Sequence, residues 1–525
     1  MMQPNFALMA LEPLPSGDWI SKTQQVLKGA RIHFTRLPSS ILTWNKILQC
    51  RGIRYSDGCF VRRLWLAPTR WALSVHPKRI YFEGNSDVID ARPEHIVLQK
   101  SRRPQSTAIT EHAKTQWDLI QILKEGFQHR PKVVALETLD DNLSKSRIIE
   151  VGSKSFHSPP ERLNTLYRRY GFFRTPKDFG ISVCPLESVS KKTADEFVLK
   201  LRNTAKQRNV NLQLNVIQSD VLWQRINEIG ESAANVVQGR CILFILPNSK
   251  QKPRNKTYSL FETLEDKGVP FRRAYANDPL EFSIPDQFPS LLIAAGGQPH
   301  RSPTKVGDIP IWTIGVDLSH HRERPFSVLA LTLVSPDGEL VGAWTKRQPR
   351  DETARVESVG ILLENCRRRI ADFTNNAKVV VFRDGRFFEN ENVNLYRNIL
   401  KSDVSLFEFR KRGNPQIIEL AQPWDLPSDI LAMNLPGEST IFLSTTPPKD
   451  NKTFKSVSKL TWRRDWNGLG LKPMQIARIV TSSAAAPGLG LHPHHLPAAI
   501  YWADGIAGVR PETLRFMGVP VCRVM

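Results

Sequence analysis

From about residue 180 the chain alternates short apolar runs with amphipathic stretches, and this alternation restricts its fold more than any other feature. ISVCP (181–185), NLQLNVI (211–217), CILFILP (241–247) and VPFRRAYA (269–276) read as strands. TADEFVLKLRNTAKQR (193–208), VLWQRINEIGESAANVV (221–237) and KTYSLFETLEDKG (256–268) read as helices, the last stopped by Gly268. Strand–helix alternation with apolar strands predicts an α/β fold, a parallel sheet with helices on both faces. The Gly/Pro-rich segment GGQPHRSPTKVGD (296–308) closes this unit.

The next unit has a different order. IPIWTIGVDLSHH (309–321) is a strand carrying Asp317 near its end, and FSVLALTLVSPDGELVGAWTK (326–346) is a hairpin about Ser335-Pro336-Asp337-Gly338. A helix (353–373), the strand KVVVFRDG (378–385) with Asp384, the ENVNLYRNIL helix, the VSLFEFRKRG strand and STIFLSTT (439–446) follow. The last helix is LPAAIYWADGIAGV (496–509), which carries Asp504. Hairpin strands first and alternating helices and strands afterwards is a ribonuclease-H-like layout. Upstream, β-like runs (ARIHF, RIYFEG) surround an Arg/Trp patch of Arg62, Arg63, Trp65, Arg70 and Trp71, then a helix (113–127) and a polar, Pro-containing stretch (140–165) that reads as a linker. The patch reads equally as a nucleic-acid channel lining or as a strand pair with one solvated basic face. The expected organisation is a mixed α+β region (1–165), a Rossmann-like parallel α/β unit (166–305) and a ribonuclease-H-like unit (306–525).

Charge narrows the partners. Lys+Arg number 73 against 51 Asp+Glu, a formal net charge of +22, which favours polyanions and above all nucleic acid. The six cysteines (50, 59, 184, 241, 366, 522) form no CxxC pair, so they read as reduced, buried thiols rather than zinc ligands. No apolar run nears the ~18 residues that span a bilayer, and no signal peptide is evident at the start. A cytoplasmic protein without membrane partners is expected. His320, His321 and the His492/His494/His495 cluster read as polar loops, because neighbouring histidines diverge and no cysteine accompanies them.

Asp317 and Asp384 stand at the ends of apolar strands. Ligands of open α/β sheets collect at the carboxyl ends of strands. A buried, unpaired carboxylate is costly, and two converging ones repel unless a cation lies between them. Oxygen donors select hard ions such as Mg²⁺ or Mn²⁺, and three or four carboxylates can hold two of them for phosphodiester attack. Each aspartate taken singly reads as readily as a cap of a turn or helix.

GVDLSHH (315–321), FRDGR (382–386), FEFRKRGNPQ (407–416), IFLSTT (441–446) and LPAAIYWADGIA (496–507) together resemble the PIWI domain of Argonaute proteins, prokaryotic ones in particular. The resemblance covers about residues 175–525, which it divides into MID (166–305) and PIWI (306–525). It implies a guide-directed endonuclease with an acidic tetrad and two divalent ions, Mg²⁺ or Mn²⁺. Asp317, Asp384 and Asp504 take three tetrad positions and would hold the ions. The fourth is a glutamate on a mobile loop, here KRQPRDETARVE, where Glu352 is chosen over Asp351 and Glu357. Implied partners are a short DNA or RNA guide and its complementary target, with room for an operon-encoded accessory protein. The implied role is defence against foreign nucleic acid.

The resemblance weakens where the family grips the guide 5′ end. Tyr258 fits the stacking position, but Glu262 stands where Lys is usual, and Ala294 and Ala295 precede Gly296-Gly297 where Lys is usual. Either Lys256, Arg272 and Arg273 rebuild the grip, with Met525 tucked beside it, or the guide has another 5′ end such as a hydroxyl. The first 150–170 residues are too few for a full N domain, two linkers and a PAZ domain together, so no PAZ is expected. Two alternatives stay open: a guide-binding module that recruits an effector without cutting, and a guide-free ribonuclease-H-like nuclease.

Overall fold

The computed structural model describes residues 6–14, 17–44, 46–50, 53–67, 70–83, 87–89, 106–140, 143, 147–157, 163–186, 188–222, 240–248, 255–320, 325–350, 354–387, 391–411, 413–421, 431–445, 456–488, 496–508, 516 and 518–524. The chain forms two compact units, Met1–Leu143 with Arg410–Trp462, and Ser144–Phe409 with Arg463–Met525.

The first unit is built on a long antiparallel hairpin, Ile53–Ala67 with Arg70–Glu83. Strand Phe6–Glu12 pairs with this hairpin, with Lys132–Asp140 and with Ile417–Glu419. Strands Leu431–Asn434, Thr440–Thr445 and Ser456–Thr461 extend the same unit. Helices Trp19–Gly29 and Ser106–Gly126 cover one face, burying Leu27, Leu119, Ile120 and Leu123 against Met9, Val61 and Val75. Asp18 caps the first helix by accepting from the Ile20 amide at 3.0 Å.

In the second unit a parallel sheet holds β1 (Gly180–Pro185), β2 (Gln213–Val216), β3 (Arg240–Leu246) and β4 (Phe271–Tyr275) in the order β2-β1-β3-β4. Helices α1 (Lys191–Gln207), α2 (Asn255–Asp266) and α3 (Leu280–Ala294) accompany it. Apolar strands and helix faces meet in one core that includes Val183, Leu243, Phe244, Phe197, Phe261 and Phe288. The expected helix over 221–237 lies almost wholly outside the described residues. One element differs from the sequence reading and one was not part of it. Residues read as linker form a hairpin, Ile148–Val151 with Lys154–His157. The segment 280–294 is helical despite Pro285 and Pro289, because six of its side chains reach the core.

The other sheet is mixed, and six of its described strands belong to this unit. Strands β5 (Ile309–His320), β6 (Phe326–Val334) and β7 (Leu340–Pro349) run antiparallel. Helix α4 (Val356–Ala371) leads to β8 (Lys378–Asp384), helix α5 (Val393–Leu400) to β9 (Asp403–Arg410), and helices α6 (Pro473–Ser483) and α7 (Ala498–Ala507) precede β10 (Val521–Val524). The order is β10-β7-β6-β5-β8-β9, with β8 parallel to both neighbours and β10 parallel to β7. The period of two in a strand divides its side chains between two covers. Leu329, Leu331 and Leu333 pack with Val359, Leu362, Leu363 and Cys366 of α4, while Ala330 and Val334 pack with Ala498, Ala499 and Trp502 of α7. Cys59, Cys184, Cys241 and Cys366 are buried free thiols as read, but Cys522, on the edge strand β10, is exposed. Among the described residues no helix is long and apolar enough to cross a membrane.

Candidate functional site

Strand periodicity brings two carboxylates to one face. Ile314 and Val316 point into the α4 core, so Thr313, Gly315 and Asp317 point to the α7 side. On β8, Val379 and Val381 share the α4 core, so Asp384 also points to the α7 side. The parallel register pairs Val316 with Arg383, which sets Asp317 and Asp384 side by side on neighbouring strands.

The third carboxylate comes from α7. Its small residues Ala498, Ala499, Ala503 and Ala507 are all buried and let the helix lie close to the sheet. A Cβ on Gly315 would fall 2.1 Å from the Ala499 carbonyl oxygen, so only glycine permits this approach. The Thr332 hydroxyl donates to the same carbonyl at 2.7 Å. This docking presents Asp504, and one ligand oxygen from each of Asp317, Asp384 and Asp504 lies within 4.8 Å of the others. Asp317 is 7% exposed, Asp384 half-buried and Asp504 exposed, so the cluster opens outward from a buried floor. Three carboxylate donors at this spacing fit a hard divalent cation, which would relieve their mutual repulsion.

Asp384 is held from behind. Gly385, at φ +91°, turns the chain directly after it, and its amide donates to the Phe409 carbonyl at 3.0 Å. Arg383 points the other way, into the interior, with 2% exposure. Its Nε donates to the Arg386 carbonyl at 3.1 Å and lies 3.2 Å from the fully buried Glu391 carboxylate. Burial pushes the Glu391 carboxyl up to about 7, against the neighbouring Arg383. Next to it, Asn392 caps α5 by accepting from the Leu395 amide at 3.1 Å. The sequence reading missed this support; the Arg beside Asp384 and the Glu before a helix cap were its only signals.

Glu352 and Asp351 lie outside the described residues, and Glu357 is exposed in the first turn of α4. Met525, His321, His492, His494 and His495 also lie outside them, as does the side chain of Lys256. Tyr258 is half-buried on α2, one turn before the buried Phe261. Arg272 and Arg273 are consecutive on β4 and therefore go to opposite faces. Arg272 Nε donates to the Ser290 carbonyl of α3 at 3.1 Å, whereas the Arg273 guanidinium lies 5.6 Å from the Phe261 ring centroid on the α2 side. The structure thus sets Arg273 on the Tyr258 side and anchors Arg272 elsewhere. In the Arg/Trp patch, Arg62 donates to the Gly413 carbonyl at 2.5 Å and Arg70 clamps the Glu12 carboxylate. Trp65 meets the buried Lys459 ammonium 4.3 Å from its ring centroid, while Arg63 stacks on Trp71 at 3.9 Å.

No protein-family profile matches the chain, and no curated protein matches it. Solved structures do. Marinitoga piezophila Argonaute in complex with 5′ OH guide RNA is similar with a TM-score of 0.64 at 12% identity, over 94% of this chain and 86% of that one. A. aeolicus Argonaute gives 0.59 at 14% identity, over 89% and 80%. Drosophila Piwi gives 0.63 at 10% identity, over 95% and 84%. At these identities the likeness is one of fold. A parallel four-stranded α/β sheet followed by a ribonuclease-H-like mixed sheet, matched along most of the chain, gives this chain an Argonaute-like fold, consistent with a MID–PIWI architecture.

Proposed function

We propose that the chain is a guide-directed endonuclease that binds a short nucleic-acid guide and cuts the complementary strand, in defence against foreign nucleic acid. The observation that carries this reading is the convergence of Asp317, Asp384 and Asp504, with ligand oxygens within 4.8 Å, at the carboxyl ends of two neighbouring strands. The Marinitoga protein has also been solved with 5′ OH guide RNA and target DNA together, which supports a guide and a target as ligands here.

Asp317, Asp384 and Asp504 would hold the divalent ions, Mg²⁺ or Mn²⁺. Bound there, two such ions supply an activated water and neutralise charge on the leaving 3′ oxygen. The protein's own part is positional. The β5–β8 pairing fixes Asp317 against Asp384, and Gly315 lets α7 bring in Asp504. Gly385 and the Arg383–Glu391 pair set the angle at which Asp384 leaves its strand. Glu352, on the loop before α4, would complete the acidic set from outside when guide and target are paired. Sequence choice then rests with the guide, while the basic surface reads backbone and duplex shape. Tyr258 and Arg273, on one side of β4, would receive the guide's first nucleotide, with Lys256, Arg272 and Met525 as further candidates. Glu262, Ala294 and Ala295 remove cations from that place, which favours a guide with a 5′-hydroxyl.

The test is cleavage of a labelled target with synthetic DNA or RNA guides, 5′-phosphorylated or 5′-hydroxyl, in Mg²⁺ or Mn²⁺. One cut at a fixed distance from the guide 5′ end is expected, lost by at least about a hundredfold in Asp384→Asn with guide affinity unchanged. Guide-dependent target binding without cutting, in every metal and guide combination, would instead assign the chain a recruiting role.

A further inference from the structure

The first compact unit holds a groove of about 790 Å³ that the acidic centre does not use. Its lining includes Glu12, Arg63, Arg70, Trp71, Arg130 and Lys132. The hairpin register pairs Trp65 with Trp71 and Arg63 with Leu73, so Arg63 and Trp71 are diagonal neighbours on one face. The Arg63 guanidinium lies 3.9 Å from the Trp71 ring centroid, and both side chains line the groove. Arg130 follows the helix Ser106–Gly126 in a left-handed turn at φ +45°, and Lys132 opens the strand that pairs with Glu12.

The charges do not cancel. Arg70 holds the Glu12 carboxylate through both Nε, at 2.7 Å, and Nη2. Among the described residues Arg63, Arg130 and Lys132 have no carboxylate partner, and all three are exposed. Three uncompensated cations around a concave site draw an anion. The indole–guanidinium contact beside them favours an anion that carries a flat ring, which a run of Asp and Glu lacks. The volume suits one or two nucleotides. A duplex keeps its base faces stacked on each other, so the ligand must be unpaired.

We infer that this groove binds the single-stranded part of a nucleic acid, with one base stacked on the Arg63–Trp71 pair and adjoining phosphates on Arg130 and Lys132. The site is an addition to the proposed cutting activity and does not depend on it.

The test uses the full chain carrying Asp384→Asn, so that the outcome is the same whether or not the acidic centre cuts. A single-stranded oligothymidine with photoreactive 5-iodouracil is cross-linked and the attachment point mapped by mass spectrometry. Affinity is followed by fluorescence anisotropy across a salt series. Expected are a cross-link at Trp71, about tenfold weaker binding in Trp71→Ala with recovery in Trp71→Phe, and a salt slope lower by roughly 1.4 in Arg130→Ala/Lys132→Ala. Arg130 and Lys132 are exposed, so that double variant reports even where Trp71→Ala misfolds. Cross-links confined to other segments with an unchanged salt slope in the double variant would overturn the inference. Equal cross-linking of Trp71 by a matched duplex, or displacement of the probe by polyglutamate without regard to Trp71→Ala, would overturn it as well.

Discussion

Asp317 and Asp384 are an expensive pair for a fold to set side by side, one 7% exposed and the other half-buried. A divalent cation between two carboxylates this close removes their mutual repulsion and so favours the folded state. Manganese at a hundredfold over its Kd should therefore stabilise the chain by about 2.7 kcal/mol in thermal melts. Asp384→Asn should lose most of that gain, and unchanged metal stabilisation in the variant would count against the centre. Gly385 tests the support rather than the ligands. Its φ of +91° is strained for any residue with a Cβ, although the space around it is open. Gly385→Ala should cost about 1–2 kcal/mol of stability and lower cleavage while leaving guide binding intact.

Between elements, the contact of α7 with β5 decides whether the third aspartate arrives. Gly315→Ala would press a methyl group against the Ala499 backbone at 2.1 Å, where nothing flexible can yield. A loss of several kcal/mol is expected, with manganese binding lost even in protein that stays folded, measured by melts and by metal titration. A second contact ties β10 to α2 through Arg523 and Asp266 at 2.6 Å, beside the buried Glu265. Burial pushes the Glu265 carboxyl up to about 7, against Arg523 nearby and a hydrogen bond from the Val521 amide. The folded state then binds more protons than the unfolded one between the ordinary carboxylate range and pH 7. This contribution is full at low pH and is lost as pH rises through 7. Melts of Glu265→Gln should show a flatter decline from pH 5 to 8, by on the order of 1–3 kcal/mol.

For the molecule as a whole, the net charge of +22 sets how binding responds to salt. A chain that neutralises several phosphates should lose affinity for guide and target linearly in log salt, with a slope near −0.7 per contact on a single strand. A slope near zero, measured by anisotropy, would mean that the excess charge is not spent on nucleic acid. The same charge recurs locally in the Arg63, Arg130 and Lys132 groove, where the lining acid Glu12 is held by Arg70.

The sequence by itself determined the strands, most of the helices and the acidic candidates, because period-two and period-3.6 apolar patterns are local properties. Asp317 and Asp384 were legible as carboxylates ending strands too apolar to hide them. The helix Leu280–Ala294 was not legible, since Pro285 and Pro289 argue against a helix that only burial in the core sustains. Nor was the hairpin at 148–157, whose short polar strands are fixed by pairing rather than by pattern. Only the tertiary structure decided that Asp504 joins Asp317 and Asp384, because their meeting depends on the β5–β8 register and on α7 resting against Gly315. It alone showed Arg383 turned inward to Glu391 and Arg272 parted from Arg273. It also decided that Arg63 and Trp71 share a groove with Arg130 and Lys132, about 60 residues along the chain, since side chains so separated meet only when the sheet between them closes.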